Sequence, residues 1–168
     1  YKTVISIRGV GNETNQNAIA APSVAFHMDG VFIASPFALG ADFLDVERIE
    51  VLRGPQGTLF GQNSTGGAVN VISKAPSTDG GSGKLNVTFG DYDLKKITTS
   101  NNFVLSEKIA TRFSLASTTR EGFSKNVVTG QDLDDANSKG FRSDWMFDLN
   151  DTSSLRVFGQ YFKVDRNG

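Results

Sequence analysis

The sequence predicts a β-rich chain in two parts: short strands with helical turns, then long antiparallel strands like those of a transmembrane β-barrel. Three observations carry this. Residues 141–150 alternate strictly. Phe141, Ser143, Trp145, Phe147 and Leu149 take one face, and Arg142, Asp144, Met146, Asp148 and Asn150 the other. That is the period of a strand with one apolar and one wet side. Several such runs reach roughly ten residues or more, matching the ~9–11 of a tilted membrane strand rather than the ~5–6 of a soluble one. The connections also run short, long, short from the second long strand onward, as periplasmic turns and external loops do in outer-membrane barrels.

In the first half, residues 3–8 (TVISIR) alternate and end at Gly9, and a polar loop rich in Asn and Gln follows over 11–17. Asp29-Gly30 between the apolar runs 24–28 and 31–33 predicts a tight hairpin, because both residues tolerate positive φ. Residues 41–45 suit one helical turn. Residues 47–53 (ERIEVLR) read as a strand, stopped by Gly54-Pro55, and Pro55 is placed to open a short helical turn through Phe60. Gly66-Gly67 leads into another strand over 68–73. A seam lies near 75–83. Beyond it, residues 84–90 place Leu85, Val87 and Phe89 on one face, and 94–105, 109–120 and 155–164 are further strands with less regular alternation. The turns are short at Ser106-Glu107 and 150–153, and the connection over 121–139 is long and polar. The short connection at 91–93 is an exception, since it falls on the external side.

Composition narrows the function. The chain of 168 residues carries 17 basic and 18 acidic residues, so no basic excess points to nucleic acid. It has no cysteine, which excludes disulfide frameworks and Cys-based zinc sites. No apolar run reaches the ~18 residues of a transmembrane helix, and a membrane β-barrel escapes such a scan. The chain begins without Met or a leader and stops directly after a strand-like run, as a fragment would.

Residues 46–76 read VERIEVLRGPQGTLFGQNSTGGAVNVISKAP. This resembles the TonB-dependent outer-membrane receptors, whose plug domains carry an E-R-I-E-V-L-R-G-P strand, a G-x-x-L-[YF]-G turn and a G-G-x-[VI]-N-[VI] strand ending in [ST]-K. Ile5-Ser6-Ile7-Arg8-Gly9 and Val31-Phe32 also resemble plug strands. Residues 83–120, with the turn at 89–92, resemble the first barrel strands. The resemblance implies an α+β plug (a small mixed sheet with short helical turns) over 1–76, a linker over 77–83, and about five strands over 84–168 of a plugged barrel of ~22. It implies a bacterial outer-membrane location and active uptake of a scarce nutrient, most often a ferric siderophore. Cobalamin or a saccharide is the alternative substrate. Substrate would bind the outer face. The TonB energy-transducing complex would act through a segment outside this chain, and the plug would rearrange to open a path.

Candidate residues follow from both readings. Glu47, Arg48, Glu50 and Arg53 place four charges in seven residues. The plain reading is a solvated strand face; the resemblance implies pairing with the barrel wall, for which the planar arginine fork is suited. Outward plug loops in the family touch substrate, which points to Asn12, Asn15, Gln16, Asn17 and Phe37. The glycines of 54–67 lack the Gly-Lys-Ser/Thr ending of a phosphate loop, so tight packing is the better account. His27 is the single histidine and has no ligand cluster or serine elbow around it. No catalytic residue, metal or cofactor is therefore expected. The aromatics at 141–162 fit either a soluble core or lipid-facing bands, and the resemblance favours lipid. A soluble β-rich binding domain remains the rival; it requires the apolar faces of 84–90 and 141–150 to pack on each other as a sandwich.

Overall fold

The computed structural model describes residues 6–11, 23–33, 43–55, 57 and 64–165. Its strands are β1 (Ser6–Ile7), β2 (Val10–Gly11), β3 (Val24–Met28), β4 (Val31–Phe32), β5 (Val46–Arg53), β6 (Gly67–Ser73), β7 (Ser82–Gly90), β8 (Leu94–Ser106), β9 (Ile109–Arg120), β10 (Ser124–Lys125), β11 (Asp132–Leu133), β12 (Ala136–Asn150) and β13 (Ser153–Asp165). They fall into two compact units. One is Tyr1–Gly40 with Val46–Lys74; the other is Ala41–Asp45 with Ala75–Gly168.

The first unit holds a mixed sheet in the order β4-β3-β6-β5. Strands β3 and β6 run parallel, and the other pairs are antiparallel. The Asp29-Gly30 hairpin forms as its sequence predicts, with φ of 49° and 80°. The Asp29 carboxylate also accepts from the Ser73 backbone N–H at 2.8 Å and the Ser73 hydroxyl at 3.0 Å, so one turn residue joins the hairpin to the end of β6. Val24, Ala25, Phe26, Ala68 and Val71 are buried, together with Ile7. Residues 3–8 were expected to form one strand. Instead Ser6–Ile7 pairs with Val10–Gly11, and Arg8 lies in the turn with a φ of 52°.

The second unit is built on a five-stranded antiparallel sheet in the order β13-β12-β9-β8-β7. Its strands are 9, 13, 12, 15 and 13 residues long from β7 to β13, leaving out β10 and β11. Register sorts the side chains into two faces. One carries rows such as Leu85, Thr99, Leu115, Phe141, Tyr161, and the other rows such as Lys84, Ser100, Ser114, Arg142, Gln160. Burial is inverted relative to a soluble sheet. Leu85, Phe89 and Tyr161 are 66%, 75% and 63% exposed, while Arg142 and Asp144 are 2% and 1% exposed. An apolar face left open above a sheltered polar face is the arrangement of a wall between lipid and a polar lumen. Aromatic rings gather on the open face. Phe113 lies 6.2 Å from Phe103, 6.4 Å from Phe141 and 6.1 Å from Trp145, centroid to centroid. The indole N–H of Trp145 donates to the Ser143 hydroxyl at 2.9 Å, which satisfies its polar group in apolar surroundings.

Several expectations change. Strands β7 and β12 belong to one sheet, so their apolar faces do not stack as a sandwich, and the soluble alternative loses its required packing. Strand β12 starts at Ala136 rather than Phe141, because the backbone of its first residues pairs with both β9 and β13. The run Ala-Asn-Ser-Lys-Gly carries no apolar alternation to announce it. The long connection is thus 121–135, and it contains the hairpin β10–β11. The turn after β8 is Glu107-Lys108, since Ser106 still pairs with Ile109. The helical turn expected at 41–45 is absent from its described part, Phe43 to Asp45, where Asp45 has a left-handed φ of 52°. The turn from Pro55 through Phe60 lies mostly outside the described residues. No helix among the described residues is long and apolar enough to cross a membrane, which says nothing of strands.

Candidate functional site

The polar face of the wall sheet carries a buried ionic network. Even-numbered positions of β12 point to this face, and Arg142 and Asp144 are consecutive ones. The Asp144 carboxylate accepts from Arg142 Nη2 at 3.0 Å and from Arg156 of β13 at 3.0 Å (Nε to Oδ1) and 2.6 Å (Nη2 to Oδ2). Arg142 also donates to Gln160 at 3.1 Å, and its guanidinium lies 4.3 Å from the ring centre of Phe158. The side chains of Arg142 and Asp144 are 3% and 2% exposed. A carboxylate so buried is tolerable because two guanidinium groups replace its water.

Next to this network the segment ending at Asp45 joins the same sheet. Leu44 is buried, and its Cδ1 approaches the position a Cβ on Gly140 would occupy, at 3.4 Å. The Asp45 carboxylate takes both Nε and Nη2 of Arg112 on β9, and Ser114 donates to it at 3.4 Å. The side chains of Arg112 and Asp45 are 7% and 13% exposed. Burial alone raises the Asp45 pKa, but Arg112, through hydrogen bonding and charge, together with Ser100 and Ser114, lowers it below its ordinary value. Sequence reading did not single out this pair. The one available signal was Arg112 itself, a cation at an inward position of a strand whose outward positions include Phe113 and Leu115.

The charged strand β5 is arranged differently. Arg48 bonds Glu50 at 2.8 Å and Glu47 at 3.0 Å, all within the strand and exposed. Asn70 on β6 donates to Glu50 at 3.2 Å. The Glu50 carboxyl is held below its usual range by Arg48 first and by Asn70. Arg53 is exposed at the strand end.

Asn12, Asn15, Gln16, Asn17 and Phe37 lie outside the described residues. His27 is buried in β3, its ring 5.5 Å from that of Phe32, and burial lowers its pKa. Among the described residues, no group of three His, Cys, Asp or Glu side chains is placed to hold a metal. Among the glycines of 54–67, Gly67 shows the close packing expected. A Cβ there would collide with the Leu52 carbonyl oxygen and stand 2.8 Å from Ile7 Cδ1.

A long-stranded sheet, apolar outside and polar inside, following a small mixed sheet, defines a plugged barrel of the outer membrane. Residues 1–68 match the family model of the TonB-dependent Receptor Plug Domain. The pesticin receptor of Yersinia pestis is 37% identical over 76 residues, 45% of this chain and 11% of that protein. The vitamin B12 transporter BtuB of Vibrio cholerae is 29% identical over 122 residues, 70% of this chain and 20% of that one. The crystal structure of the ferric yersiniabactin uptake receptor FyuA from Yersinia pestis matches with a TM-score of 0.78 and 22% identity, covering 84% of this chain and 23% of that one. The chain therefore belongs to the TonB-dependent receptors of the bacterial outer membrane. It spans between 11% and 20% of the length of these two curated relatives.

Proposed function

We propose that the whole protein takes up a ferric siderophore across the outer membrane, driven by the TonB complex. In this reading, residues 1–76 are plug, 77–83 a linker and 84–168 the first wall strands. The observation that carries it is the plug match over 1–68 joined to a wall sheet with an apolar open face and an ionic inner face. The likeness to a receptor named for ferric yersiniabactin uptake supports iron as the cargo. No bond chemistry is involved. Substrate binds above the plug, where the loops holding Asn12, Asn15, Gln16, Asn17 and Phe37 are the proposed contacts. Glu47, Arg48, Glu50 and Arg53 are proposed to meet wall strands beyond this chain. Cobalamin is a second reading, favoured by the match to a vitamin B12 transporter over 70% of this chain.

The test uses the full-length gene. A deletion strain grown under iron limitation should grow poorly on one or more ferric siderophores and recover when the gene is restored. Normal growth on iron with failed growth on limiting cobalamin would move the cargo to the vitamin. Normal growth on both would overturn each of these cargoes.

A further inference from the structure

We infer that the Asp45–Arg112 pair is a clip holding the middle of the plug chain to the barrel wall, and that Arg156 keeps it closed by occupying a competing carboxylate. The inference rests on the assignment of residues 1–76 to the plug. The chain leaves the first compact unit after Gly40, joins the second over Ala41–Asp45, and returns at Val46. That visit is fixed by a buried, doubly hydrogen-bonded ion pair and by the burial of Leu44.

The competition follows from register. Asp144 on β12 is the direct cross-strand partner of Arg112 on β9. Partners so placed share a face with Cβ atoms ~4.5–5.5 Å apart, well within reach of an arginine. Asp144 is nonetheless engaged elsewhere. Arg156 takes both of its oxygens and Arg142 takes Oδ2. With its nearest wall carboxylate saturated, Arg112 is left to the incoming Asp45. Arg156 is thus a positioning residue, acting on Asp45 through Asp144 and Arg112. Its loss releases Oδ1 of Asp144, which then draws Arg112 away from the plug segment.

The test uses the full-length receptor in outer-membrane vesicles, without substrate, so it succeeds or fails independently of which cargo is carried. In a background free of other cysteines, Leu44→Cys reports opening of the segment through its rate of labelling by a water-soluble maleimide. Heat-modifiable migration confirms that each variant has assembled. Asp45→Asn should raise the labelling rate by roughly tenfold or more, as a locally opened segment does. Ser114→Ala, a milder change, should raise it less. Arg156→Gln should raise it as well, and Asp144→Asn added to Arg156→Gln should return it toward the wild-type rate. Unchanged labelling in Asp45→Asn would overturn the clip. Fast labelling in Arg156→Gln that Asp144→Asn fails to slow would overturn the competition, because a purely structural role for the Arg156–Asp144 pair predicts no rescue.

Discussion

Gly67 opens β6 with a φ of 143°, and its α-carbon faces the Leu52 carbonyl and Ile7. Any side chain there is strained by the backbone and has nowhere to go. Gly67→Ala should destabilise the plug sheet by about 2–3 kcal/mol, read as a lower urea midpoint of plug unfolding. Asp45 offers a second residue-level test. Its pKa in the folded protein lies below the ordinary value of 3.8. Such a group stabilises the fold fully above its unfolded pKa, and the contribution is lost as pH falls through the folded value. The stability gap between wild type and Asp45→Asn should therefore be complete near neutral pH and close progressively below pH 3.8. A gap that stays constant into strong acid would contradict the ionised pair. His27, with its pKa lowered by burial, stays neutral at physiological pH and adds nothing to this acid transition until well below neutrality.

The wall strands are held by two unlike faces, and each predicts its own failure. Leu115 is 49% exposed on the apolar face, near the middle of β9. Leu115→Arg places a charge toward acyl chains and should cost ~2–4 kcal/mol of insertion free energy, measured by folding into vesicles. On the other face, Asp144→Ala leaves two guanidinium groups without their shared carboxylate and should cost about 3–5 kcal/mol. The apolar face was legible in the sequence because a period of two needs only neighbouring residues, as 141–150 shows. The start of β12 was not, since Asn137, Ser138 and Lys139 carry no apolar signal and are strand only through backbone pairing on both sides. The Asp45–Arg112 pair was illegible for a different reason. Its partners stand 67 residues apart, and Asp45 looked like the end of a helical turn. Local pattern cannot report a contact that only the tertiary fold creates. The charges of β5 were legible as a group, yet what they meet lies beyond this chain's own strands.

At the scale of the whole molecule, β7 and β13 are the edge strands of the wall sheet. Each offers an outer row of backbone N–H and C=O groups that lipid cannot satisfy. A polypeptide limited to these 168 residues should therefore fail to insert as a monomer. Protease digestion of vesicle-bound material checks this, with complete digestion expected and a protected monomeric band the contrary result. The full receptor, by closing the sheet, should resist the same protease.

Trp145 is the single tryptophan of the chain, and its indole lies on the open face among Phe113 and Phe147. That makes it a built-in optical depth gauge. In a receptor stripped of other tryptophans, its emission should shift to shorter wavelength on insertion and dim in bilayers of brominated lipid. The bromine position along the acyl chain that quenches best then reads out how far the middle of β12 sits below the headgroups.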